Sequence, residues 1–302
     1  MKKKIVTSVL ALLAIALVTT TITVSAQELH REKSLYRNIV VKQDGDRRCL
    51  VFALKRGDQH QTCMSTRNPK LLVFPYVRMT LAGLLLNPTP KRVLMIGLGG
   101  GSMPTAITEL VPTAHLDVVE IDDAVVRVAR RFFDYKDTMR MRTYVSDGRV
   151  FVKRAALRKN SYDMIFLDAF TGDYIPEHMM TFEFLEEMKQ ILNEDGVLVA
   201  NTFSTSALYD YESMTYEAVF GEFFNFKMPI TANRVVIATR SGKLPEPAAL
   251  KVTATSLAPE LKAYGVNITT YPTYLETKVD WQTRNRRILT DQYSPANLLQ
   301  GR

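Results

Sequence analysis

The stretch KRVLMIGLGGGSMPTAITELVPTAHLDVVEID, residues 91–122, decides the fold. Residues 93–96 form an apolar run that breaks at once into a run of glycines, as a buried strand does before a tight turn. The segment that follows suits a helix, because Pro104 can occupy its first turn. The stretch therefore predicts a strand, a glycine turn and a helix.

The glycine turn and the strand after it predict a nucleoside site. Gly97, Gly99 and Gly101 can adopt positive φ angles, and they place no Cβ in the path of a ligand. The next strand ends in Glu120, 23 positions after Gly97, where a carboxylate can accept both ribose hydroxyls. Asp122, at the same strand end, joins the predicted cofactor contacts. A glycine run alone fits an ordinary tight turn equally well, and its distance from Glu120 favours the nucleoside site.

Two further predicted strands also end in acids. Residues 142–145 lead to Asp147 and Gly148, and an acid before glycine can accept from an adenine amino group while the backbone passes close to the ring. Taken alone, this pair fits an ordinary turn or helix cap equally well. Residues 162–167 form the other strand and deliver Asp168 at its carboxyl end, the edge where open α/β sheets bind ligands.

Strands alternate with helices through most of the chain, which predicts an α/β fold with a mostly parallel sheet and helices on both faces. We expect a helix over residues 68–86, opened by Asn68 and Pro69, and another over residues 181–192. Residues 193–196, NEDG, are predicted to end that second helix before a strand over 197–202. The long, aromatic and acidic loop over 169–178 is a candidate lid.

The first 26 residues have the order of a secretory signal peptide: three lysines, an apolar core, and small residues ending at Ala26. Cleavage after Ala26 is the favoured interpretation, and an uncleaved membrane anchor is the alternative. In both cases the remaining chain is expected to be exported, to the periplasm or the medium. Loss of the three lysines and no acids lowers the formal net charge from +8 to +5.

Residues 27–67 are predicted to form a small antiparallel β unit, since short alternating runs are separated by turn signals. The chain has two cysteines, Cys49 and Cys63, in the strands that flank the second turn. If that turn is centred near Arg56, the cysteines lie opposite one another and can form a disulfide. Two separate buried thiols are the alternative, because a register error of one residue would part them.

The remaining composition argues against two classes of site. The mild positive charge is spread through the chain without a basic run, so nucleic-acid recognition is not expected. His30, His60, His115 and His178 are scattered without metal-ligand spacing, so no metal site is predicted.

These motifs together resemble the spermidine synthase family over roughly residues 50–299. The resemblance is carried by Gln61-Thr62, Gly97 to Ser102, Val119 to Asp122, Asp147 to Arg149, Tyr162 to Asp168, and Leu289 to Pro295. It implies the Rossmann-like fold of S-adenosylmethionine-dependent methyltransferases over residues 68–302, joined to the N-terminal β unit. A homodimer formed through the β unit is also implied.

The resemblance further implies roles for individual residues. Glu120, Asp147 and Gly148 would hold the ribose and adenine of decarboxylated S-adenosylmethionine, and Asp168 would orient the attacking amine and take its proton. Gln61, Tyr76 and Asp173 are the candidate contacts to the amine acceptor. The family usually has Tyr-His-Glu where this chain has Tyr76-Val77-Arg78.

Three functions remain open at this point. The first is transfer of an aminopropyl group to a putrescine-like amine. The second is methyl transfer from S-adenosylmethionine, whose carboxylate could pair with Arg78. The third is an exported protein that binds a nucleoside or polyamine without catalysis. The same fold supports all three.

Overall fold

A computed structural model of the chain describes residues 26–54, 57–170 and 175–295. Almost all of the predicted signal peptide, the predicted turn centre at Arg56 and the candidate acceptor contact Asp173 lie outside these ranges. Within them, no helix has both the length and the apolar character needed to cross a membrane.

The N-terminal unit is an antiparallel sheet of four strands in sequence order: β1 (Gln27–Lys33), β2 (Asn38–Asp44), β3 (Arg47–Leu54) and β4 (Gly57–Ser65). The middle of this sheet is apolar on both faces. One face, including Ile39 and Leu50, packs on Val125 of the large domain, and the other contains Val40 and Val51. This two-sided burial fixes the β unit against the rest of the protein.

Cys49 and Cys63 face each other across β3 and β4 and are joined by a disulfide, with their Cα atoms 4.1 Å apart. A β-bulge in β4 falls at Gln61, between Thr62 opposite Leu50 and His60 opposite Val51. The two cysteines therefore lie opposite one another as predicted. The register of β3 and β4 shifts by one residue between the cysteines and the turn.

The large domain contains a sheet of seven strands in the order β10-β11-β9-β8-β5-β6-β7. Strands β5 to β9 run parallel, and β10 and β11 are antiparallel additions at one edge. The bounds are β5 Arg92–Ile96, β6 His115–Glu120, β7 Met141–Val145, β8 Tyr162–Leu167, β9 Leu192–Phe203, β10 Phe224–Lys227 and β11 Asn233–Thr239. The mostly parallel sheet predicted from the sequence is confirmed.

Seven α-helices occur among the described residues: α1 Pro75–Thr80, α2 Ser102–Leu110, α3 Asp123–Phe132, α4 Gly148–Leu157, α5 Phe182–Gln190, α6 Tyr209–Phe220 and α7 Pro247–Leu261. Short 3-10 helices follow at Leu81–Leu85, Glu177–Met179, Lys262–Tyr264 and Ile268–Thr273. Two apolar cores result, one on each face of the sheet. The connections diverge between β5 and β8, and such a point is where open α/β sheets form their ligand crevice.

Two predicted boundaries were wrong. The helix expected from Asn68 begins at Pro75, because the preceding backbone is held elsewhere: Leu71 N–H bonds to Asn68, and Leu72 N–H bonds to the carbonyl of Tyr264. Residues 193–196 do not lie between a helix and a strand but belong to β9. The Asn193 side chain donates to Asp163 of β8, and this hydrogen bond joins the first residues of β9 to the neighbouring strand.

Candidate functional site

A cavity of about 200 Å³ lies at the carboxyl ends of β5, β6 and β8. Eight of the predicted site residues line it: Gln61, Tyr76, Gly97, Gly99, Glu120, Asp147, Gly148 and Asp168. Two more, Gly101 and Asp122, are described by the structure but do not line the cavity. The β unit thus contributes Gln61 to one wall, while the strand ends provide the acids.

The glycine turn brings the ends of β5 and β8 together. Gly97 has φ +102°, and a Cβ there would collide with the carbonyl oxygen of Asp168. Gly101 has φ +80°, and a Cβ there would collide with the ring of Tyr135. Gly97 is therefore required for the approach of Asp168 to the cavity, whereas Gly101 serves the packing beneath it.

Glu120 is held rigidly at the end of β6. Its Oε1 accepts from the backbone N–H of Asp122 at 3.0 Å, and its Oε2 accepts from that of Leu98 at 3.1 Å. Burial raises the pKa of Glu120, while the Asp122 N–H and the charge of Arg37 oppose that rise. Because each carboxylate oxygen has a second lone pair, this group can still accept hydroxyls from a ligand in the cavity.

Asp122 is placed differently from the prediction. Its Oδ1 caps α3 by accepting from Ala124 N–H, and its Oδ2 accepts from the Ser34 hydroxyl at 2.6 Å. Arg37 Nε lies 3.4 Å from the same Oδ2. Both oxygens are thus used to join α3 to the turn between β1 and β2, and Asp122 does not contact the cavity. This correction has a local cause, since a helix starts directly after the strand.

Asp147 caps a helix and also lines the cavity. Its Oδ1 caps α4 by accepting from Val150 N–H at 2.9 Å. Its Oδ2 lies 3.3 Å from His178 Nε2, and both residues line the cavity. The carboxylate and the imidazole together form a polar end of the cavity that can recognise the edge of a base.

Asp168 lines the cavity at the carboxyl end of β8. Its Oδ1 accepts from Asn201 Nδ2 at 2.8 Å, and the Tyr76 hydroxyl, which donates to the carbonyl oxygen of Gln61 at 3.5 Å, also acts on this carboxylate. Burial raises the pKa of Asp168 to about 6, although Asn201 and Tyr76 oppose that rise. Burial also raises the pKa of Tyr76 well above its ordinary value, so that side chain remains a hydroxyl donor. Asp168 is therefore ionised at neutral pH and still basic enough to take a proton.

Sequence reasoning missed the turn between β1 and β2. Arg37 lines the cavity, lies 4.4 Å from the centroid of the Phe52 ring, and donates to the carbonyl oxygen of Phe170 at 3.3 Å. It thereby connects the β unit to the loop that follows Asp168. No spacing or motif marks Arg37, because the contacts of its side chain are with residues distant in sequence. His178 and Asn201 were missed for the same reason.

Arg78 lies away from the cavity. Its Nη1 donates to the carbonyl oxygen of Gly265 at 3.4 Å, and the residue does not line the cavity. Arg78 therefore neither repels an amine in the site nor pairs with a cofactor carboxylate there. The Arg78 side chain therefore gives no support to methyl transfer.

One group of potential metal ligands occurs in the described part of the chain, formed by Cys49, His60 and Cys63. Their ligand atoms lie within 4.8 Å of one another. Both sulfur atoms are in the disulfide, so neither is a thiolate, which is the form of cysteine that binds metals.

The chain is similar to known proteins throughout this architecture. The sequence model of the spermine/spermidine synthase domain matches residues 76–241. A polyamine aminopropyltransferase of Vibrio vulnificus is 52% identical over 272 residues, which cover 90% of this chain and 91% of that protein. A probable spermidine synthase from Corynebacterium glutamicum has TM-score 0.64 at 19% identity, over 84% of this chain and 97% of that chain. Human methyltransferase-like protein 13 has TM-score 0.57 at 25% identity, over 70% of this chain and 97% of that chain. The chain belongs to the spermine/spermidine synthase family.

Proposed function

We propose that this protein transfers an aminopropyl group from decarboxylated S-adenosylmethionine to an amine acceptor of the putrescine type. The observation that carries the proposal is the carboxylate of Asp168, which accepts from Asn201 and lies in the same cavity as Tyr76, Glu120 and the glycine turn. The similarity to a polyamine aminopropyltransferase supports the same reaction.

The cavity has separate parts for the two substrates. The Glu120 carboxylate accepts the ribose hydroxyls, and Asp147 with His178 faces the adenine. In the proposed binding mode the sulfonium group lies towards Asp168, beyond the ribose. Tyr76 and Gln61 line the same cavity on the side of the β unit, where an amine acceptor can approach. The reaction then depends mainly on holding two substrates in line.

The transfer itself is a single displacement. The amine nitrogen attacks the aminopropyl carbon bound to sulfur, and the C–S bond breaks with its electrons going to sulfur, which leaves methylthioadenosine. The new secondary ammonium loses its proton to Asp168, which passes it to water. The Asp168 carboxylate also attracts the amine and orients its lone pair towards the carbon.

The test is product analysis with the purified, oxidised protein. Decarboxylated S-adenosylmethionine and putrescine should give spermidine and methylthioadenosine in equal amounts. The control reaction contains intact S-adenosylmethionine, for which we expect no methylated amine and no S-adenosylhomocysteine. Formation of S-adenosylhomocysteine would establish methyl transfer instead. Binding of methylthioadenosine without any turnover would support the non-catalytic alternative.

We further propose that the chain is exported and loses its leader after Ala26. Strand β1 begins at Gln27, directly after the predicted cleavage position, and the Cys49–Cys63 disulfide is the kind of bond that persists in oxidising compartments. N-terminal sequencing of the protein recovered from the exported fraction tests the cleavage position. The homodimer implied by the resemblance stays a prediction.

Replacing both cysteines with serine is expected to lower the free energy of unfolding by about 3 kcal/mol, because the disulfide closes a short loop of the unfolded chain. Cys49 and Cys63 are 14 positions apart. Urea unfolding of the oxidised protein and of the double variant measures the difference. Reductant should bring the unmodified protein to the stability of the variant and leave the variant unchanged. Equal stability of the two oxidised proteins would contradict the prediction.

A further inference from the structure

Asn201 lies directly behind Asp168, on the neighbouring strand β9, and is 2% exposed. Its side chain forms two hydrogen bonds: Nδ2 donates to Asp168 Oδ1 at 2.8 Å, and Oδ1 accepts from Asn233 Nδ2 at 3.0 Å. It does not line the cavity, so it acts on a substrate only through Asp168. The family resemblance and the sequence motifs gave it no role.

The hydrogen bonds beyond Asn201 determine which end of its amide faces Asp168. The backbone N–H of Asn233 donates to Thr231 Oγ1 at 3.2 Å, and the Thr231 hydroxyl donates to Asn233 Oδ1 at 2.7 Å. With its oxygen occupied in this way, Asn233 presents its NH₂ group to the oxygen of Asn201. Asn201 must then present its own NH₂ group to Asp168. Turning either amide over would bring two acceptors, or two donors, face to face.

We propose that Asn201 is a positioning residue for Asp168, and that the chain from Thr231 through Asn233 to Asn201 holds a donor against this carboxylate. The donor stabilises the ionised form of Asp168, which is the form that can receive a proton from the amine. It also fixes the plane of the carboxylate relative to the cavity. The proposal rests on the proposed function only where its test measures kcat, because the pKa of Asp168 can be measured without turnover.

The groups that face Asp168 support this role. Tyr76 of α1 lines the same cavity and favours its ionised form, whereas the charge of Glu120 at the end of β6 favours its protonated form. Burial acts in the same direction as Glu120 and is the larger effect. Asn201 from β9 and Tyr76 from α1 are thus the two groups that oppose protonation. Without Asn201, Tyr76 alone would oppose burial and Glu120.

The experiment is a titration of the Asp168 carboxyl carbon by NMR in protein labelled at the aspartate carboxyl, with the signal assigned by its loss in Asp168→Asn. Asn201→Leu should raise the pKa of Asp168 by about one unit from its value near 6. Thr231→Val, which leaves Asn201 in place, should produce a smaller shift in the same direction. If the protein transfers aminopropyl groups, the pKa of the acidic limb of the kcat–pH profile should rise by the same amount.

Asn225→Leu is the matched control, because Asn225 is also a buried asparagine in this sheet and its Nδ2 donates to Asp280 Oδ1 at 3.0 Å. It should leave the titration of Asp168 unchanged. An unchanged pKa of Asp168 in Asn201→Leu would overturn the proposal, as would equal shifts in Asn201→Leu and Asn225→Leu. The NMR result stands even if no transfer is detected, so failure of the proposed function is recognised separately.

Discussion

Replacing Asp168 with asparagine is expected to lower kcat for aminopropyl transfer by about 10²- to 10⁴-fold. The amide has nearly the shape of the carboxylate, but it neither attracts a cationic amine nor takes its proton. Its oxygen can still accept from Asn201 Nδ2, so the side chain should keep its position. The change therefore removes the chemistry of Asp168 with little change in its packing.

Binding of the nucleoside should survive this substitution. Glu120 is fixed by the backbone N–H groups of Leu98 and Asp122, and Asp147 by that of Val150, and none of these contacts involves Asp168. Calorimetric titration with methylthioadenosine should thus give a dissociation constant within a few-fold of the unmodified protein. Stopped assays of spermidine formation measure kcat on the same preparations.

Asp163→Asn provides the control, because it removes an aspartate carboxylate at the other end of β8. Asp163 lies at the opposite end of this strand, where its Oδ2 accepts from the backbone N–H groups of Lys91 and Arg92. It is remote from the cavity, so kcat should change less than threefold. A kcat for Asp168→Asn within tenfold of the unmodified protein would show that the reaction needs no carboxylate at this position.

The site residues that could be predicted from the sequence are those that lie at the carboxyl end of a single predicted strand. Gly97, Glu120 and Asp168 each follow directly on a short apolar run, and parallel strands bring such ends to one edge of the sheet. Asp122 shows the limit of that reasoning. It lies only two residues beyond Glu120, but the start of α3 directs its carboxylate away from the cavity.

The parts that were missed depend on which segments become neighbours in the fold. Arg37 contacts Asp122 and Phe170, which are far away in sequence, and nothing local indicates either contact. Asn201 reaches Asp168 only because β9 lies next to β8. Periodicity predicts that a strand exists, but the order of strands must be known before such pairs can be found.

The cysteine pair was predicted correctly although the register assumed at the turn between β3 and β4 was not the one observed. Near the turn, β3 and β4 pair Leu54 with Gly57, which is one residue out of the predicted register. The bulge at Gln61 adds one residue to β4 and restores that register at Cys49 and Cys63. The same bulge places Gln61 at the cavity.

Replacing Glu212 with leucine is expected to lower the free energy of unfolding by about 3–5 kcal/mol, because it leaves the charge of Arg234 buried without a counter-charge. Arg234 is a residue of β11, is 0% exposed, and contacts α6 through its side chain. Its Nη2 donates to Glu212 Oε2 at 3.1 Å, and its Nε donates to Thr202 Oγ1 at 2.7 Å. Thr202 is a neutral acceptor and cannot replace the lost carboxylate.

Urea unfolding of Glu212→Leu, of Arg234→Met and of the double variant separates the ion pair from its surroundings. We expect the double variant to be less destabilised than Glu212→Leu alone, because no buried charge then remains without a partner. Asp123→Ala is the control, since it removes an exposed partner of Arg127 and should cost about 1 kcal/mol or less. A loss below 1 kcal/mol for Glu212→Leu would mean that water or another acceptor reaches Arg234. The arginine would then be solvated in the folded protein, contrary to the burial of its side chain against α6.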